Sequence, residues 1–355
     1  MSGGCVRLVQ GIEVSAIPAN ETDENDPLPV FHGGDLDAAR KDFPDAPEPW
    51  IDLSTGINPV PYLLPPFEAS ALQRLPSAGD LLALKRVAAE AYGAGGAENV
   101  AAAPGSQILI ETLPRLRARA RVAVVGPTYA EHAAAWGRAG HAVETVRDLP
   151  AGGHFEIVVV VNPNNPDGRV HDAARLADVA RDLATRGGLL IVDEAFADFE
   201  PGLCEPCDLG PAAVRLRSFG KSYGLAGLRL GFALAAPALA RQVETALGPW
   251  AVSGPALAAG LAALPDRAWR REAALARAHD AARLDRMIRR GSGLVVGGTA
   301  LFRTATFDDG PALFRRLGEA GIYVRRFPDT PAQLRFGLPP DKAAWCRLSR
   351  VLKPA

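Results

Sequence analysis

Short runs of apolar residues alternate along the middle of the chain with longer stretches in which apolar and polar residues mix. The runs Arg121–Val125, Ile157–Val161 and 189–192 have the length of strands, and strands this uniformly apolar are typical of a sheet covered on both faces. In 129–139 and 172–185 the apolar residues recur at helical spacing. This alternation predicts an α/β domain with a mostly parallel central sheet.

The last third of the chain shows a second pattern. Two alanine-rich stretches, 236–246 and 269–290, are expected to be helices, and the second leads toward two strand-like regions, 294–307 and 321–338, with a helix between them. We therefore expect a smaller α/β domain at the C-terminus. The predicted organisation comprises an N-terminal extension (1–30), a large domain (31–265) whose first part (31–60) forms an arm near the site, and a small domain (266–355).

Composition and charge exclude several classes of partner. Of 355 residues, 48% are hydrophobic, and 39 basic residues nearly balance 40 acidic ones, so no bulk field attracts the chain to nucleic acid or to an anionic membrane. No apolar run approaches the roughly 20 residues that cross a bilayer. The polar segment 1–30 lacks the features of a secretory signal. We expect a cytoplasmic protein whose partners are small molecules.

The cysteines give little indication of chemistry. They are too few and too scattered for a disulfide framework, at Cys5, Cys204, Cys207 and Cys346. One CxxC pair without nearby histidines is a weak metal signal, so we expect no metal site.

Polar residues follow the apolar strands at the points where ligands bind in parallel sheets. These points include the segment 162–168 and the glycine-rich segment 217–231, in which Lys221 stands between Ser218 and Arg229. Glycines permit a close approach of the backbone to a ligand. A lysine amine can form a Schiff base with an aldehyde, while an arginine and a serine hydroxyl can bind a phosphate. The segment therefore suits an aldehyde cofactor that carries a phosphate.

Three motifs in 162–231 resemble those of fold-type I enzymes that use pyridoxal 5′-phosphate (PLP), the class I and II aminotransferase superfamily. SFGKSYGLAGLRLGF, which begins at Ser218, is similar to the segment that carries the cofactor lysine. NPNNPDG, which begins at Asn162, is similar to the family's asparagine–proline turn, and VDEAF, which begins at Val192, to its aspartate motif. Their order and intervals also match, so the resemblance implies that Lys221 carries PLP.

The resemblance implies cofactor contacts by Gly105, Ser106, Gln107, Tyr129, Asn165, Asp193, Ser218, Lys221 and Arg229. The first three precede a helical stretch, whose backbone NH groups would face the phosphate. Asp193 would pair with the protonated pyridine nitrogen, Asn165 would donate to the phenolic oxygen, and Tyr129 would stack on the ring. The expected catalytic residues are Lys221, Asp193 and Tyr129.

The resemblance also implies a set of substrate-binding residues, which are His32, Gly33, Arg325 and Arg335. QLRFG at 333–337 resembles the strand whose arginine, here Arg335, forks the α-carboxylate of the substrate in bidentate geometry. Arg325 is a second candidate. Because Arg326 follows it on a strand, one of the two must point away from the site.

The N-terminal part resembles one branch of the superfamily. HGGD at 32–35 and DLSTGINP at 52–59 are similar to the opening of threonine-phosphate decarboxylases and related cobalamin-biosynthesis proteins. Phe196 agrees, because histidinol-phosphate aminotransferases typically place there a tyrosine whose hydroxyl bonds the phenolic oxygen. Two features depart from the family pattern: Gly220 stands where many relatives have serine or threonine, and 74–80 lacks a tyrosine that reaches across a dimer interface.

Three functions remain open on the sequence. The first is PLP-dependent decarboxylation of O-phospho-L-threonine to (R)-1-amino-2-propanol phosphate in cobalamin biosynthesis. The second is an aminotransferase of the histidinol-phosphate type, which needs an oxo-acid acceptor. The third is a non-catalytic PLP-fold protein that delivers an intermediate to a partner in that pathway. The resemblance also implies a homodimer, because sites in this superfamily generally lie at a two-fold interface.

Overall fold

The computed structural model describes residues 33–150, 153–203 and 208–353. Several predictions fall outside these residues, namely those for the extension 1–30, His32, Cys5, Cys204 and Cys207. Cys346 is a free, exposed cysteine. No helix in the described ranges is long and apolar enough to cross a bilayer.

The described residues contain strands that form two separate sheets. The strands are β1 (Ile51–Leu53), β2 (Val100–Ala103), β3 (Arg121–Val125), β4 (Ala142–Val146), β5 (Ile157–Val161), β6 (Leu189–Asp193), β7 (Ala213–Ser218), β8 (Gly231–Ala235), β9 (Leu294–Thr299), β10 (Phe302–Thr306), β11 (Ile322–Arg326) and β12 (Gln333–Gly337).

The helices begin largely where the sequence provides a capping side chain. They are α1 (Leu36–Asp42), α2 (Ser70–Gln73), α3 (Ala78–Tyr92), α4 (Ser106–Arg115), α5 (Glu131–Arg138), α6 (Ala173–Thr185), α7 (Phe219–Ser222), α8 (Pro237–Leu247), α9 (Gly254–Ala263), α10 (Arg267–Arg290), α11 (Gly310–Glu319) and α12 (Lys342–Val351). Asp172, Asp266 and Asp341, for example, accept a hydrogen bond from a backbone NH in the first turn of α6, α10 and α12.

The larger sheet has the strand order β2-β8-β7-β6-β5-β3-β4. Strands β3 to β7 pair in parallel, and β8 runs antiparallel to both of its neighbours. Strands β5 and β6 are fully buried apolar runs up to Asp193, as expected for a sheet covered by helices on both faces. The predicted α/β class with a mostly parallel central sheet is confirmed.

The smaller sheet has the order β1-β11-β12-β10-β9. The segment 31–60 is predicted to belong to the large domain, but its strand β1 pairs in parallel with β11 of this smaller sheet. The physical reason is burial, because Ile51 and Leu53 join an apolar core that α10, α11 and α12 also supply. The domain boundary at 265 stays a prediction.

A close backbone contact joins the turn 162–168 to the smaller sheet. Gly168 has a φ of +73°, and a Cβ on it would stand 2.0 Å from the carbonyl oxygen of Gly298. The hydroxyl of Thr304 donates to the carbonyl oxygen of Pro166 at 2.5 Å. A Cβ on Gly297 would likewise stand 2.0 Å from the carbonyl oxygen of Asp167, so glycine is needed on both sides of this contact.

Candidate active site

The register of the large sheet brings three strand ends together. Asp193 at the end of β6 lies opposite Val161 of β5 on one side and opposite Leu216 of β7 on the other. Strand β7 ends at Ser218, and the single turn of α7 then presents Lys221. Because the carboxyl ends of parallel strands meet at one edge, the predicted lysine and aspartate reach the same place.

The environment of Lys221 favours a neutral amine. Burial, followed by the positive charge of Arg335, lowers its pKa from 10.5 to about 8, although Asp193 opposes the shift. The Nζ atom lies 5.6 Å from the centroid of the Phe196 ring. With this pKa, roughly a tenth of the amine is unprotonated at pH 7 and half at pH 8, so the lysine can act as a nucleophile or a proton acceptor near neutral pH.

Asp193 is held by donors on both carboxylate oxygens. Nε2 of His132 lies 2.8 Å from Oδ2, and the backbone NH of Ala195 donates to Oδ1 at 3.0 Å. His132 and Asp193 are both buried. His132 is not among the residues predicted from the sequence, although its spacing of three residues from Tyr129 on a helical stretch could have indicated it.

Tyr129 lies next to this buried pair. Its hydroxyl donates to Oε1 of Gln107 at 3.0 Å, and its ring meets the ring of His132 edge to face with centroids 6.2 Å apart. Burial raises the pKa of Tyr129 to about 12, so the phenol stays protonated and remains a donor. The structure thus brings Gln107, Tyr129 and Asp193 together.

The start of α4 forms a cradle suited to an anion. Gly105, with a φ of +86°, precedes the helix, and a Cβ there would stand 2.5 Å from Nη2 of Arg229. A Cβ on Gly231 would stand 2.6 Å from the backbone nitrogen of Ser106, and Ser218 lies opposite Gly231 in the sheet. Backbone NH groups at a helix start, a guanidinium and a hydroxyl are together a phosphate-binding set.

Arg335 is a buried cation with two neutral partners. Its Nη1 donates to Oδ1 of Asn165 at 2.5 Å, and its Nη2 donates to the carbonyl oxygen of Ser54 at 2.7 Å. Its Nε has no hydrogen-bond partner, and no carboxylate lies within ion-pair distance of it in the described part of the chain. Burial, followed by the charge of Arg325, lowers its pKa to about 9. This guanidinium can therefore bind an anionic ligand with a net gain of free energy, because its buried charge has no carboxylate partner among the described residues.

The two neighbouring arginines of β11 point in different directions. Burial lowers the pKa of Arg325, and the hydroxyls of Tyr323 and Tyr129 act on it in the opposite direction. Arg326 is exposed, 3.9 Å from Asp42 and above the ring of Phe314. Arg325 is therefore the one on the side of Tyr129.

The segment that begins at Gly33 packs on β1 and the residues after it. The backbone NH of Gly34 donates to Oγ of Ser54 at 2.7 Å, and Oγ of Ser54 donates to Oδ1 of Asp52 at 2.6 Å. A Cβ on Gly33 would stand 2.5 Å from the carbonyl oxygen of Ser54. Ser54 thus contacts both Arg335 and the predicted substrate residue Gly33, a link that the sequence analysis did not anticipate.

The sheet order and the strand-end lysine define the fold of a PLP-dependent transferase. The structure superimposes with a TM-score of 0.72 on the histidinol-phosphate aminotransferase from Sinorhizobium meliloti in complex with pyridoxal-5′-phosphate, at 22% identity, covering 92% of this chain and 94% of that chain. The chain belongs to the aminotransferase class I and II family, which matches residues 68–344.

Two relatives indicate the branches of this family that the chain resembles. It is 43% identical over 327 residues to the threonine-phosphate decarboxylase of Pseudomonas aeruginosa, covering 90% of this chain and 96% of the relative. It is 32% identical over 324 residues to a histidinol-phosphate aminotransferase of Mycobacterium tuberculosis, covering 83% of this chain and 82% of the relative.

The buried charge of Lys221 leads to a prediction about stability. Because its folded-state pKa of about 8 is below the unfolded value of 10.5, the charged amine destabilises the fold below pH 8, and the penalty fades as the pH rises toward 10.5. We expect Lys221→Met to raise the free energy of unfolding of the cofactor-free protein at pH 7 by up to about 3 kcal/mol. Urea unfolding at pH 7 and at pH 10.5 measures the difference.

The matched control is Lys342→Met, which removes an exposed lysine at the start of α12. It should leave the stability at both pH values nearly unchanged. If Lys221→Met raised the free energy of unfolding by the same amount at the two pH values, the effect would come from packing. That result would contradict the electrostatic explanation.

Proposed function

We propose that the chain is a PLP-dependent threonine-phosphate decarboxylase that forms (R)-1-amino-2-propanol phosphate in cobalamin biosynthesis. The observation that carries this proposal is the 43% identity with the decarboxylase relative along 90% of the chain. The site supports it, since Arg335 and Arg325 provide two cations on the side of Tyr129, and the substrate carries two anionic groups. Identity with the aminotransferase relative is lower.

The residues of the site fit PLP. The start of α4, Arg229 and Ser218 would hold the phosphate, Asp193 would hold the pyridine nitrogen, and Lys221 would bind the aldehyde carbon. The close packing at Gly105 supports this assignment, because a side chain there would displace the guanidinium of Arg229. When bound, PLP withdraws electrons from Cα of the substrate, so that a bond to Cα can break heterolytically.

The chain's own residues would then determine which bond breaks. Arg335 would hold the α-carboxylate, and Arg325 and His32 are the candidates for the phosphate. In decarboxylation the bond between Cα and the carboxylate carbon breaks, carbon dioxide leaves, and a proton goes to Cα. Lys221 is the candidate proton donor, because its pKa of about 8 lets it gain and lose a proton near neutral pH.

Of the two other functions that the sequence left open, only the aminotransferase has support from a relative. An aminotransferase of the histidinol-phosphate type would use the same lysine to move the proton of Cα and would depend on an oxo acid. Its support is the second relative, at 32% identity. A non-catalytic partner protein would bind PLP without turnover. The cytoplasmic location and the absence of nucleic-acid binding stay predictions from the sequence.

We also propose a homodimer. Two large apolar side chains, Leu82 and Trp250, are exposed around one groove of about 400 Å³ that they line. Trp250 is 59% exposed, and Leu72 and Leu75 in the nearby segment are 74% and 68% exposed. Apolar surface of this kind supports an interface with a second copy.

The dimer proposal predicts a change of mass on mutation. We expect the wild type to sediment as two chains and Trp250→Glu to sediment as one, because a carboxylate is costly to bury without a partner. The control is Leu294→Glu at the edge of the smaller sheet, where Leu294 is 72% exposed but lies away from the groove. Sedimentation velocity of the three proteins is the measurement, and a single-chain wild type would refute the proposal.

Turnover of O-phospho-L-threonine without any oxo acid tests the proposed reaction. We expect the PLP-loaded protein to release carbon dioxide and to form the phosphorylated amino alcohol over many turnovers, because decarboxylation needs no acceptor. Isotopic detection of carbon dioxide and mass spectrometry of the product measure both. Lys221→Ala is the control and should be inactive, since it lacks the amine that binds the cofactor.

The outcome separates the three functions. Absence of carbon dioxide, together with turnover of histidinol phosphate and 2-oxoglutarate, would replace the decarboxylase by the aminotransferase. Cofactor binding without turnover of either substrate would favour the partner protein.

The substitution Arg335→Lys tests whether Arg335 binds the carboxylate of the substrate. Lysine cannot form two parallel hydrogen bonds, so we expect kcat/KM for O-phospho-L-threonine to fall about 100-fold, with a raised KM. Arg326→Lys is the matched control, because the neighbouring Arg326 points toward Asp42. Steady-state kinetics of both variants is the measurement, and equal effects in the two would argue against a role for Arg335 in binding.

A further inference from the structure

The segment that carries Lys221 is held by a part of the chain that lies far away in sequence. The backbone NH of Asn58 donates to the carbonyl oxygen of Lys221, and its Nδ2 donates to that of Ser222, both at 2.9 Å. The NH of Tyr62 donates to the carbonyl oxygen of Tyr223, also at 2.9 Å. Three consecutive carbonyls around the lysine are thus bound by 58–62.

Asn58 is itself fixed by the long helix α10. Its Oδ1 accepts hydrogen bonds from Nη1 of Arg277 and from the backbone NH of Val60, both at 3.1 Å. Asn58 is only 2% exposed, and Arg277, also buried, is oriented by an ion pair of 2.7 Å with Asp280. All polar groups of the Asn58 side chain are therefore engaged.

Local structure alone cannot hold the lysine in place. The helix α7 has only four residues, too few to be stable by itself. Gly224 has a φ of +67°, and a Cβ there would stand 2.7 Å from the carbonyl oxygen of Asn58. The lysine segment is consequently fitted against 58–62, and Asn58 provides two of the three hydrogen bonds that fix it.

We propose that Asn58 and Arg277 are positioning residues for Lys221. Asn58 holds the backbone of the lysine segment from one side, and Arg277 holds Asn58 in the rotamer that makes this possible. The inference rests on the proposed role of Lys221 in binding the cofactor. It assigns to α10 a function beyond its contribution to the apolar core of the smaller sheet.

The test measures the lysine without cofactor or substrate. In the cofactor-free protein, the pH dependence of labelling by acetic anhydride, read by mass spectrometry, gives the pKa of each lysine. The charged groups that face Lys221 are Arg335 on β12, Asp193 on β6, Arg229 before β8 and Asp52 on β1. Because Asn58→Ala and Arg277→Met leave all four in place, a shift would report a change in the position or burial of the amine.

We expect both variants to raise the labelling pKa of Lys221 from about 8 toward its ordinary value of 10.5. In the loaded enzyme, kcat should fall about 10-fold or more, because small displacements of a reacting group are costly. KM should change less than about 3-fold, since neither residue is proposed to contact the substrate. The double variant should be no worse than Asn58→Ala alone, because the two act through one contact.

Two controls make each outcome decisive. Lys85, which pairs with Glu244 at 2.5 Å, is the internal control, because its labelling would also change if a variant loosened the fold as a whole. Arg267→Met removes an exposed partner of Glu90 from the same helix and should change neither lysine. A shift in both lysines would mean that Asn58 and Arg277 only support the fold, and a shift in neither would equally overturn the proposal. The labelling does not depend on any substrate, so an error in the proposed reaction would not affect it.

Discussion

The parallel register of β5, β6 and β7 is the constraint on which the whole site depends. It places the end of β6, and with it Asp193, between two other strand ends, so that the turn after β5 and the lysine after β7 open onto one edge. The side chains of the site are brought together by tertiary contacts, and not by neighbouring sequence alone. His132 reaches Asp193 from α5, and Asn165 reaches Arg335 across the contact with the smaller sheet.

The second constraint is an excess of positive charge on buried and half-buried side chains. Lys221, Arg335 and Arg325 each have a lowered pKa, and in each case burial is the largest cause. Asp193 is already engaged by His132, and Asp52 by Ser54, which leaves Arg335 with neutral hydrogen-bond partners. A site of this kind gains free energy when it binds anions, which both the proposed cofactor and the proposed substrate provide.

Much of this arrangement could be predicted from the sequence, because strand-end residues follow apolar runs that are easy to recognise. Asp193 stands at the end of such a run and Asn165 follows another within a few residues, whereas Lys221 is marked by the glycine-rich segment 217–231. His132 and Asn58 could not be found in the same way, because their roles depend on which helix or segment packs against a given strand end. The pairing of β1 with β11 was missed for a related reason, since three residues carry too little pattern to choose between two sheets.

An aromatic pair links the two central cations. Phe196 lies against Lys221 and Phe302 lies against Arg335, and the two rings meet edge to face with centroids 5.0 Å apart. Gly56 makes this packing possible, since a Cβ there would stand 2.7 Å from the Phe196 ring. The apolar rings screen the repulsion between the two cations less than water would. An anion bound to Arg335 would therefore raise the pKa of Lys221 and keep its amine protonated, so the occupancy of the carboxylate site and the charge of the lysine are coupled through this aromatic pair.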